Sequence, residues 1–289
     1  MDYAAVVVLE ILYMIAFLAL TSAGLAIVFG MMRVINLAHG EFVMLGGYTT
    51  LACQRAGIDI WFAMLVIAPL VVGVVGLIVE RLVIRFLYGR MIDTMLATWG
   101  LSLLLIGVVT LIFGSSAVGV PAPIPGYQLG GYQMGGYNLF IIAVAVVVYV
   151  AMWLVLRFTR MGLIARGAMQ SADVASSLGY NPRTVYMVTF TIGAALSGLA
   201  GGVLAPLTGL LPASGGAYIA KAFIAVITGG AGAVIAGTLS SSVLFGTINQ
   251  IVSFAYTPVI GELAMLALAI VLLRLMPQGI SGRFFRDSQ

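Results

Sequence analysis

The apolar residues of this chain fall in long, nearly uncharged blocks instead of amphipathic alternation, and that pattern constrains the fold more than any other feature. A crossing of the hydrocarbon core needs about 20 mostly apolar residues. Segments of that kind run approximately over 8–31, 34–53, 60–80, 92–113, 138–157, 184–205, 217–236, 238–256 and 259–276. A water-facing shell needs charge, yet 8% of the residues are charged and 62% hydrophobic, against about 25% and 45–50% in soluble domains. Lipid is the solvent that accepts such a surface. The expected fold is an all-α membrane protein, a polytopic helical bundle of eight or nine transmembrane helices. The seventh and eighth segments are so closely spaced that a re-entrant or broken helix stays open there.

Charge sets the orientation. With the amino terminus outside, Arg33, Arg81, Arg85, Arg90, Arg157, Arg160, Arg166, Arg183, Arg274, Arg283 and Arg286 are cytoplasmic, and only Arg55 and Lys221 are not. Eleven against two is a strong positive-inside bias, and it favours nine crossings with the carboxyl terminus inside. The start, MDYAAVVVLE, has no basic residue before the first apolar run, so that run is expected to remain as a span. Residues 114–137, rich in Gly, Pro and Tyr and free of charge, read as an external loop. Residues 157–183 carry four arginines and one aspartate, and read as a cytoplasmic loop with a short amphipathic helix closed by Gly179 and Pro182. The whole of 1–289 reads as one transmembrane domain.

Enzyme chemistry finds little support. The one lysine, Lys221, follows Ala220, so there is no Gly-Lys-Ser/Thr phosphate cradle. His39-Gly40-Glu41 has the His-x-Glu form of zinc deaminases, but a chain with one cysteine lacks the Cys-x-x-Cys pair, and one histidine rules out a multi-histidine site. No metal, no cofactor and no nucleic acid is expected, and the single Cys53 leaves the redox compartment open.

The most unusual stretch is RVINLAHGEFVMLGGY, 33–48, which sets Asn36, His39 and Glu41 inside a span. Ionisable groups in hydrocarbon face a bundle interior or a water-filled path. Asn36, His39 and Gly40 share one face if the segment is helical throughout. These side chains either line the solute path or serve as interhelical glue near Arg33. Small residues crowd 193–202 and 229–237, with Gly198 and Gly202, and Gly229, Ala233 and Gly237, at the spacing that lets helices approach closely. Alternatively Gly229, Gly230 and Gly232 break the span and expose backbone dipoles to a solute. Glu80, Asp93 and Glu262 read as solvated ends near the membrane boundary.

The residues also carry a family likeness. GLAIVFGMMRVINLAHGEFVMLGGY (24–48) resembles the first-helix signature of permeases of branched-chain amino acid and urea/amide importers of the ATP-binding-cassette class. The segment 159–202 is similar to the coupling region of the same family, and 221–237 and LMPQGISGR (275–283) match its later pattern. Asp173, Val174, Ala175 and Gly179 fall on the four marked positions of the EAA-type loop, with Asp and Val in place of the usual Glu and first Ala. The resemblance implies a permease subunit without catalysis of its own in the bacterial inner membrane. Its partners would be separate ATPase subunits, a second related permease or a second copy, and an extracytoplasmic solute-binding protein. It assigns ATPase coupling to Arg166, Asp173, Ala175 and Gly179. Residues 87–105 resemble the urea and short-chain amide branch, and Lys221-Ala222-Phe223 the branched-chain amino acid branch, with the former favoured. A stand-alone secondary transporter or channel for a small polar solute is the competing class; it would need ionisable residues in several spans, and only 33–48 offers any.

Overall fold

The computed structural model describes residues 2–129, 132–230 and 233–284. In chain order the elements are α1 (Asp2–Met32), α2 (His39–Arg55), α3 (Ile60–Phe86), α4 (Met91–Phe113), a hairpin of β1 (Tyr127–Leu129) and β2 (Tyr132–Met134), and α5 (Gly136–Phe158). There follow α6 (Arg160–Gln170), α7 (Ala172–Ser177), α8 (Pro182–Thr208), α9 (Gly215–Gly229), α10 (Val234–Ala255), α11 (Pro258–Leu275) and α12 (Gly279–Phe284). Among the described residues, seven helices are long and apolar enough to cross a bilayer: α1, α3, α4, α5, α8, α10 and α11. The protein is an all-α polytopic membrane protein. Two segments expected as full spans are shorter: α2 has 17 residues and α9 has 15. The span expected from residue 34 starts at His39, because Arg33 turns into the left-handed region at φ 51° and ends the first helix. Large apolar side chains such as Leu103, Leu104, Leu111 and Ile112 of α4 are exposed, the surface lipid requires.

The chain forms two compact units. One comprises 23–120 and 150–220, and the other 1–22, 121–149 and 221–289. The first is built around α8. Small residues on α8 let backbones meet: Gly198 lies against Ala68 and Val72 of α3, and Gly201 against Val43 of α2. His39 faces Ser197 and Val43 faces Gly201, so α2 runs parallel to α8; Val72 faces Gly198 and Gly76 faces Ala194, so α3 runs antiparallel. Aromatic packing closes one end, with Phe42 edge-on to Phe190 at 6.1 Å. At the other end an isolated bridge pairs Val118 with Leu210.

Within the second unit, Gly261 of α11 backs onto the Asn249 carbonyl of α10, and Gly246 of α10 backs onto Ile15 of α1. Asn138 donates to Glu10 at 3.1 Å, and Tyr149 donates to the Ala19 carbonyl at 3.1 Å.

The boundary carboxylates are partnered, not merely solvated. Asp93 pairs with Arg90 at 2.5 Å and Glu262 with Lys221 at 2.6 Å. Glu80 is fully buried and accepts a hydrogen bond from the Tyr88 hydroxyl. Burial first, then that carboxylate, pushes the Tyr88 phenol well above its ordinary value. The phenol therefore stays a donor.

Candidate functional site

The site grows out of a break between α1 and α2. Residues 33–38 are not helical, so their backbone groups need partners inside the protein. Two are supplied by side chains: Thr98 of α4 accepts from the Leu37 N–H, and Asn36 Oδ1 accepts from the Ala38 N–H, both at 3.0 Å. Asn36 thus precedes α2 and caps the turn, and does not extend the helical face of His39 as a continuous span would require.

The depth of the break follows from helix register. His39 opens α2 opposite Ser197 of α8. Ser197 lies about 22 Å along α8 from Pro182 and about 16 Å from Thr208, at 1.5 Å per residue. Helix α2 therefore begins deep within the length of α8, the most buried of the described spans. The Ser197 hydroxyl donates to the Gly193 carbonyl at 2.9 Å, so the 3.2 Å contact with His39 Nδ1 is donated by the ring, which fixes the tautomer. Leu25, Val28, Asn36, His39, Phe42, Phe190, Gly193, Ala194 and Ser197 surround a crevice too tight for a water molecule. In this conformation His39 ties α2 to α8, while Asn36 braces the turn that precedes α2.

Glu41 is different. It is 2% exposed and lies in the first turn of α2. Ser102 of α4 hydrogen-bonds to its carboxylate, whereas Oε2 is buried with no hydrogen-bond partner. A second helix begins against it. Gly215, the first residue of α9, lies so close that a Cβ there would sit 2.5 Å from Glu41 Oε1, and a Cβ on Gly40 would collide with the Gly215 carbonyl. Ser214 stands at the N-cap of α9, since its carbonyl accepts from the Ala217 N–H at 3.1 Å. Its hydroxyl is buried and unpartnered. The N-termini of two helices thus meet around one carboxylate.

Asn36, His39 and Glu41 are brought together in the first unit. Gly229 and Gly230 belong to the second, at the end of α9: Gly229 packs on Gly237, and Gly230 turns at φ 83° beside Gln278 and Ser281. Gly232 lies outside the described residues. Of the 157–183 segment, Arg166 is exposed on α6, Ala175 is buried on α7, and Gly179 has φ 86°. Asp173 falls in α7, but its side chain lies outside the described residues. Pro182 starts α8 at its first position and does not close the preceding helix; Asn181 caps it by accepting from the Arg183 N–H. Sequence reasoning missed Ser102, Ser197, Ser214 and Gly215. The Ser-Gly-Gly run at 214–216, a capping residue ahead of an apolar stretch, was the available signal.

The family model described as the permease component of the branched-chain amino acid transport system matches residues 7–276. The chain belongs to this family. Similar permeases include LivH of the high-affinity branched-chain amino acid transport system of Salmonella typhimurium, 30% identical over 281 residues that cover 92% of this chain and 91% of that protein. BraD of Pseudomonas aeruginosa, a permease of the same kind of system, is 29% identical over 92% and 91%. A probable branched-chain amino acid transport permease, LivH of Methanocaldococcus jannaschii, is 25% identical over 92% and 88%. No solved structure matches the chain. The permease is a multi-pass inner-membrane protein. These relatives carry the branched-chain alternative and give no support to urea or a short-chain amide as solute.

Proposed function

We propose that this permease forms the translocation path for branched-chain amino acids in an ATP-binding-cassette importer, moving solute by alternating access driven by separate ATPase subunits. The observation that carries the reading is the family match over 7–276, in a chain with no phosphate-binding Gly-Lys-Ser/Thr. The inward segment supports it. Helices α6 and α7 expose Met161, Leu163 and Val174, and Leu178 just after α7 is exposed too, beside Arg160 and Arg166, a mixed apolar and basic surface suited to a protein partner. Thr159, Ser171 and Asn181 each cap a helix by accepting a backbone N–H, which stabilises the helices at either end of the segment and within it. In this reading Arg166, Asp173, Ala175 and Gly179 couple to the ATPase, and Asn36, His39, Glu41 and the glycines at 229, 230 and 232 border the path. A second related permease, or a second copy, completes the core, and an extracytoplasmic binding protein delivers the solute.

The test is uptake of radiolabelled L-leucine into proteoliposomes holding the permease with its ATPase subunits. Uptake that needs internal ATP and the binding protein supports the proposal. Uptake by the permease alone, driven by an ion gradient, would establish a secondary transporter instead.

A further inference from the structure

We infer that Glu41, Ser214 and the first turn of α9 form a recognition site for the zwitterionic head group of an α-amino acid within the path. The inference rests on the proposed solute class and names the groups that would meet it. A carboxylate that is 2% exposed and keeps one oxygen without a partner is expensive in a protein interior. No arginine or lysine answers it: among the described residues the ion pairs are Arg90–Asp93 and Lys221–Glu262. The neighbouring anomaly points the same way. A serine at an N-cap ordinarily turns its hydroxyl onto the N–H two or three residues on. Ser214 leaves its hydroxyl buried and unpartnered, one residue from the glycine that touches Glu41.

A zwitterion matches this pair of deficits. Its ammonium donates to Glu41 Oε2 and the Ser214 hydroxyl, and its carboxylate lies on the positive end of α9, where the first N–H groups have no helical acceptor. Space is available on one side only. Gly215 is buried against Glu41, whereas Gly216 and Ala217 are exposed, and a Cβ on Gly216 would meet nothing within 4 Å. The head group therefore reaches the site past Gly216, as the Gly40–Gly215 contact parts. A simple cation would satisfy Glu41 but would leave the helix end unanswered, and an uncharged amide would satisfy neither charge.

The experiment uses the complete importer in proteoliposomes and compares wild type, E41Q and S214A for ATP-driven L-leucine uptake and for ATP hydrolysis stimulated by the leucine-loaded binding protein. E41Q keeps the shape and the Ser102 contact but removes the charge, and uptake is expected to fall about tenfold or more. S214A removes an unpartnered hydroxyl, so it folds as wild type does, and uptake is expected to fall about threefold. Stimulated ATP hydrolysis is retained in both. Wild-type uptake in S214A, or in an assembled E41Q, overturns the site. Loss of stimulated hydrolysis in step with uptake also overturns it, because the residues would then act on helix movement and not on solute. Failure of wild type itself to take up any branched-chain amino acid would instead defeat the proposed function, and it is read on a different sample.

Discussion

Replacing Gly201 by alanine tests whether the α2–α8 seam is held by direct backbone contact. A Cβ at 201 would fall on the Val43 carbonyl oxygen, 2.7 Å from its carbonyl carbon and 3.1 Å from the Gly47 nitrogen. Ordinary contact begins at 3.4 Å, so α2 must retreat by at least 3.4 − 2.7 = 0.7 Å against that carbon alone. The obstacle is helix backbone, which cannot swing away as a side chain would. Overpacking of this kind costs about 1–3 kcal/mol. For a chain of this size that is a fall in Tm of roughly 2–10 °C. The matched control is G107A on α4, where a Cβ meets nothing within 4 Å and the gain in helix propensity leaves stability unchanged or raised by about 0.5–1 kcal/mol. Both variants are purified in one detergent and heated, and the fraction remaining monodisperse is followed by fluorescence-detected gel filtration. Equal Tm values for G201A and G107A would refute the packing argument, since both make the same chemical change and differ only in what the new methyl touches.

Three further outcomes follow from named contacts. Y88F removes the hydroxyl that donates to buried Glu80, and it should lower stability by about 1–3 kcal/mol; Y88F/E80Q should recover part of that loss in the same thermal assay, because no carboxylate is then left unpaired. S197A deletes the acceptor of the His39 ring and is expected to lower stability by about 1–2 kcal/mol, measured by the same melt; an unchanged Tm would mean that the bond adds nothing. G179V forces a branched side chain into φ 86°, at about 1–2 kcal/mol of local strain, and D173R reverses a charge on α7; both should insert normally while ATPase subunits fail to co-purify, and full co-purification would remove 171–180 from the coupling surface.

Much of the membrane fold was legible because the solvent writes it directly into composition. The uncharged runs that became α1, α3, α4, α5, α8, α10 and α11 are long enough to show at any alignment of the window. The runs at 34–53 and 217–236 read the same way, yet they became the shorter α2 and α9. Hydropathy reports whether a residue avoids water, and residues 34–38 avoid it by lying buried or half-buried within the protein. Enclosure leaves no trace in a hydropathy sum. The polar residues Asn36, His39 and Glu41 stood out because they are rare in such a setting. The serines near them, Ser102, Ser197 and Ser214, did not, because serine in a membrane helix ordinarily bonds back to its own carbonyls, as Ser22 and Ser242 do here.

The same glycines that hide the break also determine how it is held. Between hydrocarbon-bathed helices there is no gain from removing apolar surface from water, so a seam is held by close contact and by polar groups. At Gly40 and Gly215 the contact is backbone on backbone, with no interdigitated side chains to unlock. Parting the two helix ends there breaks few dispersion contacts, and it releases the one carboxylate oxygen that the closed arrangement leaves unsatisfied. Along α8, by contrast, the side chains of Val28 and Val72 wedge against Gly193 and Gly198, and close contacts continue through Gly201 and Gly202 over more than two turns. A disturbance reaching the first turn of α9 therefore meets the least resistance where two helix N-termini face Glu41, and the rest of the α8 seam serves as the fixed wall.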